Sequence, residues 1–132
     1  MDQNETLMKG STVYAPLTGL AVALEEVPDP VFAGKVLGDG IGIIPSEGKI
    51  AAPVDGTLVT IADTQHAFGF QTEDGLNILV HVGLDTVELK GEGFTVYAKE
   101  NDKVKKGDLI AEVNLEFLKE KGINPTTPVI IC

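Results

Sequence analysis

The chain has 132 residues, the usual size of one domain, and carries twenty Asp and Glu against ten Lys and Arg, a net charge of −10. So few cations cannot displace the counterions of a nucleic acid or an anionic membrane, which excludes those partners and leaves a small basic protein as the better electrostatic match. A hydrophobic fraction of 43% excludes disorder despite the charge.

Residues 1–11 are polar, with no apolar stretch of the kind a secretory signal needs, and read as a flexible lead-in to a single domain over 12–132. Short Val- and Ile-rich runs follow over 12–14, 19–24, 41–45, 49–51, 56–61, 68–72, 77–82, 94–97, 109–113 and 128–131, each bounded by Gly, Pro, Asp or Asn. Runs of that length and composition predict an all-β fold, an antiparallel β-sandwich or barrel-like domain. Only residues 114–121 predict a helix, with Asn114 as its cap, Leu115 and Leu118 on one face and Gly122 ending it.

Ala15-Pro16-Leu17-Thr18-Gly19 returns 37 residues later as Ala52-Pro53-Val54-Asp55-Gly56, each copy leading into a β-rich run. Proline sets the backbone at the start of each bend and glycine releases it, so one bend is used twice in two similar halves. The phrase from Glu100 to Leu109 is a polar turn followed by a strand, of a kind common in biotinyl and lipoyl carrier domains. The single cysteine, Cys132, cannot close an intrachain disulfide and suits a reducing, cytoplasmic setting. No apolar run approaches the roughly 18 residues of a membrane span, so direct membrane insertion is not expected.

Both histidines of the chain, His66 and His81, lie in its most regularly patterned region. Asp74-Gly75 is a strong two-residue hairpin signal. A turn there pairs Phe70 with Leu79, Phe68 with His81 and His66 with Gly83. His66 and His81 then become diagonal neighbours on one face, their Cα atoms about 7 Å apart. Phe68, Phe70 and Leu79 make that face apolar, and Ile78, Val80 and Val82 point into the core. A slip of one residue would send the two imidazoles to opposite faces. Paired imidazoles on an apolar, partly exposed patch titrate near neutrality and are sensitive to their surroundings.

The chain resembles the glucose-specific IIA domains of the bacterial sugar phosphotransferase system over about residues 13–131. The resemblance is carried by Val27-Pro28-Asp29, Phe32, Gly38-Asp39-Gly40, Ala52-Pro53-Val54-Asp55-Gly56, His66-Ala67, Val80-His81, Gly83-Leu84-Asp85-Thr86-Val87, Leu89-Lys90-Gly91-Glu92-Gly93-Phe94 and Thr127-Pro128-Val129. The segment from His81 to Phe94 is its most specific part. It implies a sandwich of the duplicated hybrid motif type with one or two short helices, and a phosphotransferase component that works through phosphohistidine. A histidine phosphocarrier protein would deliver a phosphoryl group to His81, which would pass it to a cysteine of a IIB domain during sugar uptake. A neutral imidazole is a competent nucleophile at cytoplasmic pH, and its N–P bond stays reactive enough to hand the group on.

By the same resemblance His66 would donate a hydrogen bond to the phosphoryl oxygens and the Thr64 hydroxyl would orient its ring. Backbone N–H groups near Gly83 would face the anion. Asp29 and Asp85 would meet an arginine of the phosphocarrier. Val31, Phe32 and Leu79 would ring the site and exclude water, with Phe68 adding to the docking face. Ala62 and Leu79 stand where some members carry Phe, which makes this surface less aromatic. Unphosphorylated members also bind and inhibit other proteins, so regulated transporters or kinases join the expected partners.

No cofactor is required by this reading. The alternative is zinc: His66 and His81 as ligands of a hydrolytic centre, or of a weaker site completed across a partner interface. A biotinyl or lipoyl carrier would need a Lys at the hairpin tip, and Asp74-Gly75 holds none.

Overall fold

The computed structural model describes residues 13–132. The lead-in expected over 1–11, and the first residue of the run expected over 12–14, lie outside the described residues. Val13 and Tyr14 form no strand: Val13 is buried in the core, and the Tyr14 N–H donates to the Pro53 carbonyl at 2.8 Å.

The described residues form ten strands: β1 Gly19–Ala23, β2 Asp39–Pro45, β3 Lys49–Ala51, β4 Gly56–Ile61, β5 Ala67–Gln71, β6 Asn77–His81, β7 Phe94–Val96, β8 Lys103–Val104, β9 Leu109–Val113 and β10 Thr127–Ile131. They form a seven-stranded sheet in the order β1-β2-β10-β6-β5-β4-β8 and a three-stranded sheet in the order β3-β9-β7. Every strand pair is antiparallel, as the short alternating runs predict. The main core lies between the sheets. Phe68, Phe70, Ile78, Val80 and Leu58 of the larger meet Ile50, Ala111, Val113 and Phe94 of the smaller.

The duplicated bend is physically paired with itself. Tyr14 N–H donates to Pro53 C=O, and Ala51 N–H donates to Pro16 C=O at 2.7 Å. Residues 14 and 51, like 16 and 53, are the same positions in the two copies, so the bonds are reciprocal.

The helix expected over 114–121 is α2, Leu115–Glu120; the Asn114 side chain accepts from Phe117 N–H at 3.1 Å, and Leu118 is buried. A second helix, α1 Pro30–Ala33, is unmarked by the residue pattern but falls within the one or two short helices that the resemblance implied. Asp29 caps it, accepting from Val31 N–H at 3.0 Å, and Pro30 begins it, a position where the missing proline N–H costs nothing. 3₁₀ turns span Leu24–Glu26 and Thr86–Leu89. Leu24, Val27, Phe32, Leu84 and Ile130 build a second, smaller core with Leu79 packed against it. Among the described residues no helix is long and apolar enough to cross a membrane.

The β5–β6 hairpin departs from the expected register by one residue. Its loop is Glu73-Asp74-Gly75, three residues and not two. Thr72 N–H bonds Leu76 C=O at 2.9 Å, Gly75 N–H bonds Thr72 C=O at 3.0 Å, and Gly75 takes φ 89°. The Thr72 hydroxyl also accepts from Leu76 N–H at 3.0 Å, a bond that the Asp-Gly signal does not reveal. An odd loop moves every pair by one: Ala67 faces His81, Phe68 faces Val80 and Phe70 faces Ile78.

Candidate active site

The register shift corrects the expected docking face. Phe68 and Phe70 are both 0% exposed and belong to the main core with Ile78 and Val80, so Phe68 has no surface to offer a partner. His81 and Leu79 keep the opposite face. Leu79 is half-buried against the smaller core, and His81, the last residue of β6, is half-exposed.

Strict alternation from Phe68 would turn His66 into the core. It does not apply, because β5 begins only at Ala67. His66 leaves a tight turn in which Gln65 N–H bonds Ala62 C=O at 2.7 Å and Gln65 adopts φ 62°. Its own carbonyl still accepts from Val82 N–H at 2.7 Å, which ties it beside the end of β6. The two imidazole rings meet edge to face, with centroids 4.7 Å apart and planes at 80°. The expected meeting of the rings therefore occurs by a different backbone route.

Each ring has its Nδ1 engaged. His81 Nδ1 lies 2.8 Å from the Gly83 carbonyl, which can only accept, so Nδ1 carries the proton and Nε2 holds the lone pair. His66 Nδ1 lies 2.6 Å from the Thr64 hydroxyl oxygen, as the resemblance implied. His66 is 7% exposed. Burial pushes its pKa below the ordinary histidine value and the neighbouring His81 adds to this; the Thr64 main chain offsets only part. Burial also lowers the His81 pKa, against the opposing pull of the Gly83 carbonyl and of the charges on Asp29 and Asp85. Both imidazoles are thus biased to the neutral form.

Phe32 stands against His81 with ring centroids 5.0 Å apart. At 6% exposure it is a wall behind the ring and contributes little to any docking surface. Asp29, the cap of α1, and Asp85 both act electrostatically on His81. Asp85 holds a left-handed φ of 61° and makes no capping bond with its side chain. Val31 is exposed, and so are Val36, Leu37 and Val87, which the sequence pattern does not mark. They sit in or beside the segments that carry Phe32 and Asp85. No periodicity marks them, because they lie in turns.

Among the described residues no group of three or more His, Cys, Asp or Glu side chains is placed to hold a metal ion, so the zinc-dependent hydrolytic alternative lacks a ligand set. The site offers two imidazoles in contact, biased to the neutral form and with their Nδ1 atoms engaged, and two carboxylates that act on one of them.

Comparison with known proteins identifies the family. Residues 11–132 match the family model described as phosphoenolpyruvate-dependent sugar phosphotransferase system, EIIA 1. The PTS system glucose-specific EIIA component of Buchnera aphidicola is 51% identical over 123 residues, covering 93% of this chain and 76% of that protein. The glucose-specific EIICBA component of Staphylococcus saprophyticus is 46% identical over 119 residues, 90% of this chain but 18% of its own length. Among solved structures, glucose permease IIA from Mycoplasma capricolum superposes with a TM-score of 0.87 at 43% identity, covering 90% of this chain and 77% of that one.

Proposed function

The chain belongs to the EIIA 1 family of the phosphoenolpyruvate-dependent sugar phosphotransferase system and is a phosphotransferase component of sugar uptake; on that premise we propose that it carries the phosphoryl group on His81 as phosphohistidine. The observation that carries the reading is the pair of imidazoles 4.7 Å apart with both Nδ1 atoms bonded elsewhere, which leaves the two Nε2 atoms for one phosphoryl group.

His81 Nε2 attacks the phosphorus of a phosphohistidine on the histidine phosphocarrier protein. The new N–P bond forms as the donor's N–P bond breaks, and the donor imidazole takes back the electron pair. Positive character that His81 gains is balanced by the Gly83 carbonyl and by Asp29 and Asp85. The Thr64 hydroxyl donates to His66 Nδ1, so that the proton on Nε2 of His66 faces the phosphoryl oxygens. Phe32 and Leu79 limit water at the site. Asp29 and Asp85 receive a cation of the basic phosphocarrier, and Val31, Val36, Leu37 and Val87 supply the apolar contact around it.

The group then passes to a cysteine of a IIB domain in the cytoplasm; the Staphylococcus saprophyticus relative, an EIICBA component, supports a partner of that kind. The same face, unphosphorylated, is the surface for regulated transporters or kinases.

The test is incubation with phosphoenolpyruvate and the general phosphotransferase proteins, followed by mass measurement and peptide mapping. His81→Ala is expected to abolish the acid-labile, base-stable label, and undiminished labelling would move the acceptor elsewhere. His66→Gln is expected to slow onward transfer more than acceptance. Equal loss in both single-turnover half-reactions refutes the role given to His66.

A further inference from the structure

The Thr86 side chain bonds to the main chain beside His81. It is fully buried, and its hydroxyl donates to the Val82 carbonyl at 2.7 Å. Val82 directly follows His81. One peptide further on, Leu84 N–H donates to the Asn124 carbonyl at 2.9 Å. These two bonds hold the consecutive peptide groups on either side of Gly83, the Val82–Gly83 unit by its carbonyl and the Gly83–Leu84 unit by its amide. A peptide unit is planar, so fixing the Leu84 N–H also fixes the direction of the Gly83 carbonyl. That carbonyl takes the Nδ1 proton of His81.

Gly83, at φ 79°, has no side chain to set its own conformation, and both flanking planes would swing if released. The direction of its carbonyl is therefore imposed from outside. Asn124 contributes through its main chain. Thr86 is the side chain that does the same work, and its methyl also crowds Gly83: a Cβ at Gly83 would lie 2.5 Å from Thr86 Cγ2.

We propose that Thr86 is a positioning residue for His81, whose hydroxyl anchors the turn at 82–84 so that the Gly83 carbonyl faces Nδ1 and the ring keeps its lone pair on Nε2. The consequence for transfer rests on the phosphohistidine reading; the tautomer itself does not. Without the hydroxyl the Val82 carbonyl is left buried and unpaired, and the turn rearranges to satisfy it. Rings with the proton on Nε2 cannot attack, so the rate falls with the population that remains competent.

The experiment reads nitrogen NMR of histidine-labelled protein beside single-turnover phosphoryl acceptance, in the wild type, Thr86→Val and Thr86→Ser. Wild type and Thr86→Ser are expected to hold His81 in the Nδ1–H tautomer. Thr86→Val is expected to mix the tautomers and slow acceptance about three- to tenfold, with the phosphocarrier concentration for half-saturation unchanged. Should Thr86→Val not fold, Thr86→Ala takes its place, since it lacks the group that crowds Gly83. A folded Thr86→Val or Thr86→Ala with a single Nδ1–H tautomer overturns the proposal, as does a Thr86→Ser that mixes tautomers. A wild type that accepts no phosphoryl group, while Thr86→Val still mixes tautomers, overturns the carrier reading and supports the positioning role.

Discussion

Gly83 and Gly75 form a matched pair of left-handed glycines for which the structure forecasts different losses on substitution by alanine. Gly75, at φ 89° in the hairpin loop, has nothing within 4 Å of an added Cβ. Gly75→Ala therefore costs only the backbone term, about 1 kcal/mol for a non-glycine residue held at positive φ. Gly83, at φ 79°, has the same backbone term. Its added Cβ would also sit 2.5 Å from Thr86 Cγ2 and 3.3 Å from the Asn124 carbonyl oxygen. Thr86 is buried and hydrogen-bonded, so it cannot swing away, and overpacking of this kind costs about 1–3 kcal/mol. The total for Gly83→Ala is about 2–4 kcal/mol. A domain of this size loses about 3–5 °C of Tm per kcal/mol, so Gly83→Ala should melt about 6–20 °C below wild type and Gly75→Ala about 3–5 °C below. Urea denaturation with a common m value, checked against calorimetry, measures both. Phosphoryl acceptance should fall in Gly83→Ala and stay unchanged in Gly75→Ala, whose loop lies at the other end of the hairpin from His81. Losses equal within about 0.5 kcal/mol would refute the claim that Thr86 crowds Gly83.

Two further outcomes follow from the site. Asp85 holds φ 61° with no capping bond from its side chain, so Asp85→Gly should raise Tm by a few degrees, as relief of about 1–2 kcal/mol of strain outweighs the added chain entropy, while slowing acceptance from the phosphocarrier; a lower Tm counts against strain at this position. Both histidines have folded-state pKa values below 6.5, so between those values and 6.5 the unfolded chain binds more protons than the folded one and stability rises with pH. Stability should thus be lost as pH falls from 7 through 6.5, at no more than about 1.4 kcal/mol per pH unit per histidine, and His66→Gln should flatten the slope; urea midpoints that do not change between pH 7 and 5.5 contradict the burial of the pair.

Much of this protein was legible in its residue order. The alternating runs between Gly, Pro and Asp mark nearly every strand, because a half-buried strand must repeat with period two. The doubled Ala-Pro-x-x-Gly phrase marks the two halves, and Asn114 with Gly122 brackets the one clear helix. The specific run from His81 to Phe94, with His66 upstream, carries the resemblance to the phosphotransferase IIA family to which the chain belongs.

Placement was decided in three dimensions. Asp74-Gly75 marks a turn, but its loop length depends on how the Thr72 hydroxyl and Gly75 close it, and that one residue turns Phe68 to the face opposite Leu79. His66 meets His81 only because the strand starts one residue later and frees it from alternation. Val36, Leu37 and Val87 are surface residues because of the turns that carry them, and Thr86 matters through a carbonyl four residues back. Local periodicity specifies which stretches are extended, whereas side-chain direction at strand ends and turns depends on hydrogen bonds between segments, and no short window of sequence contains both partners.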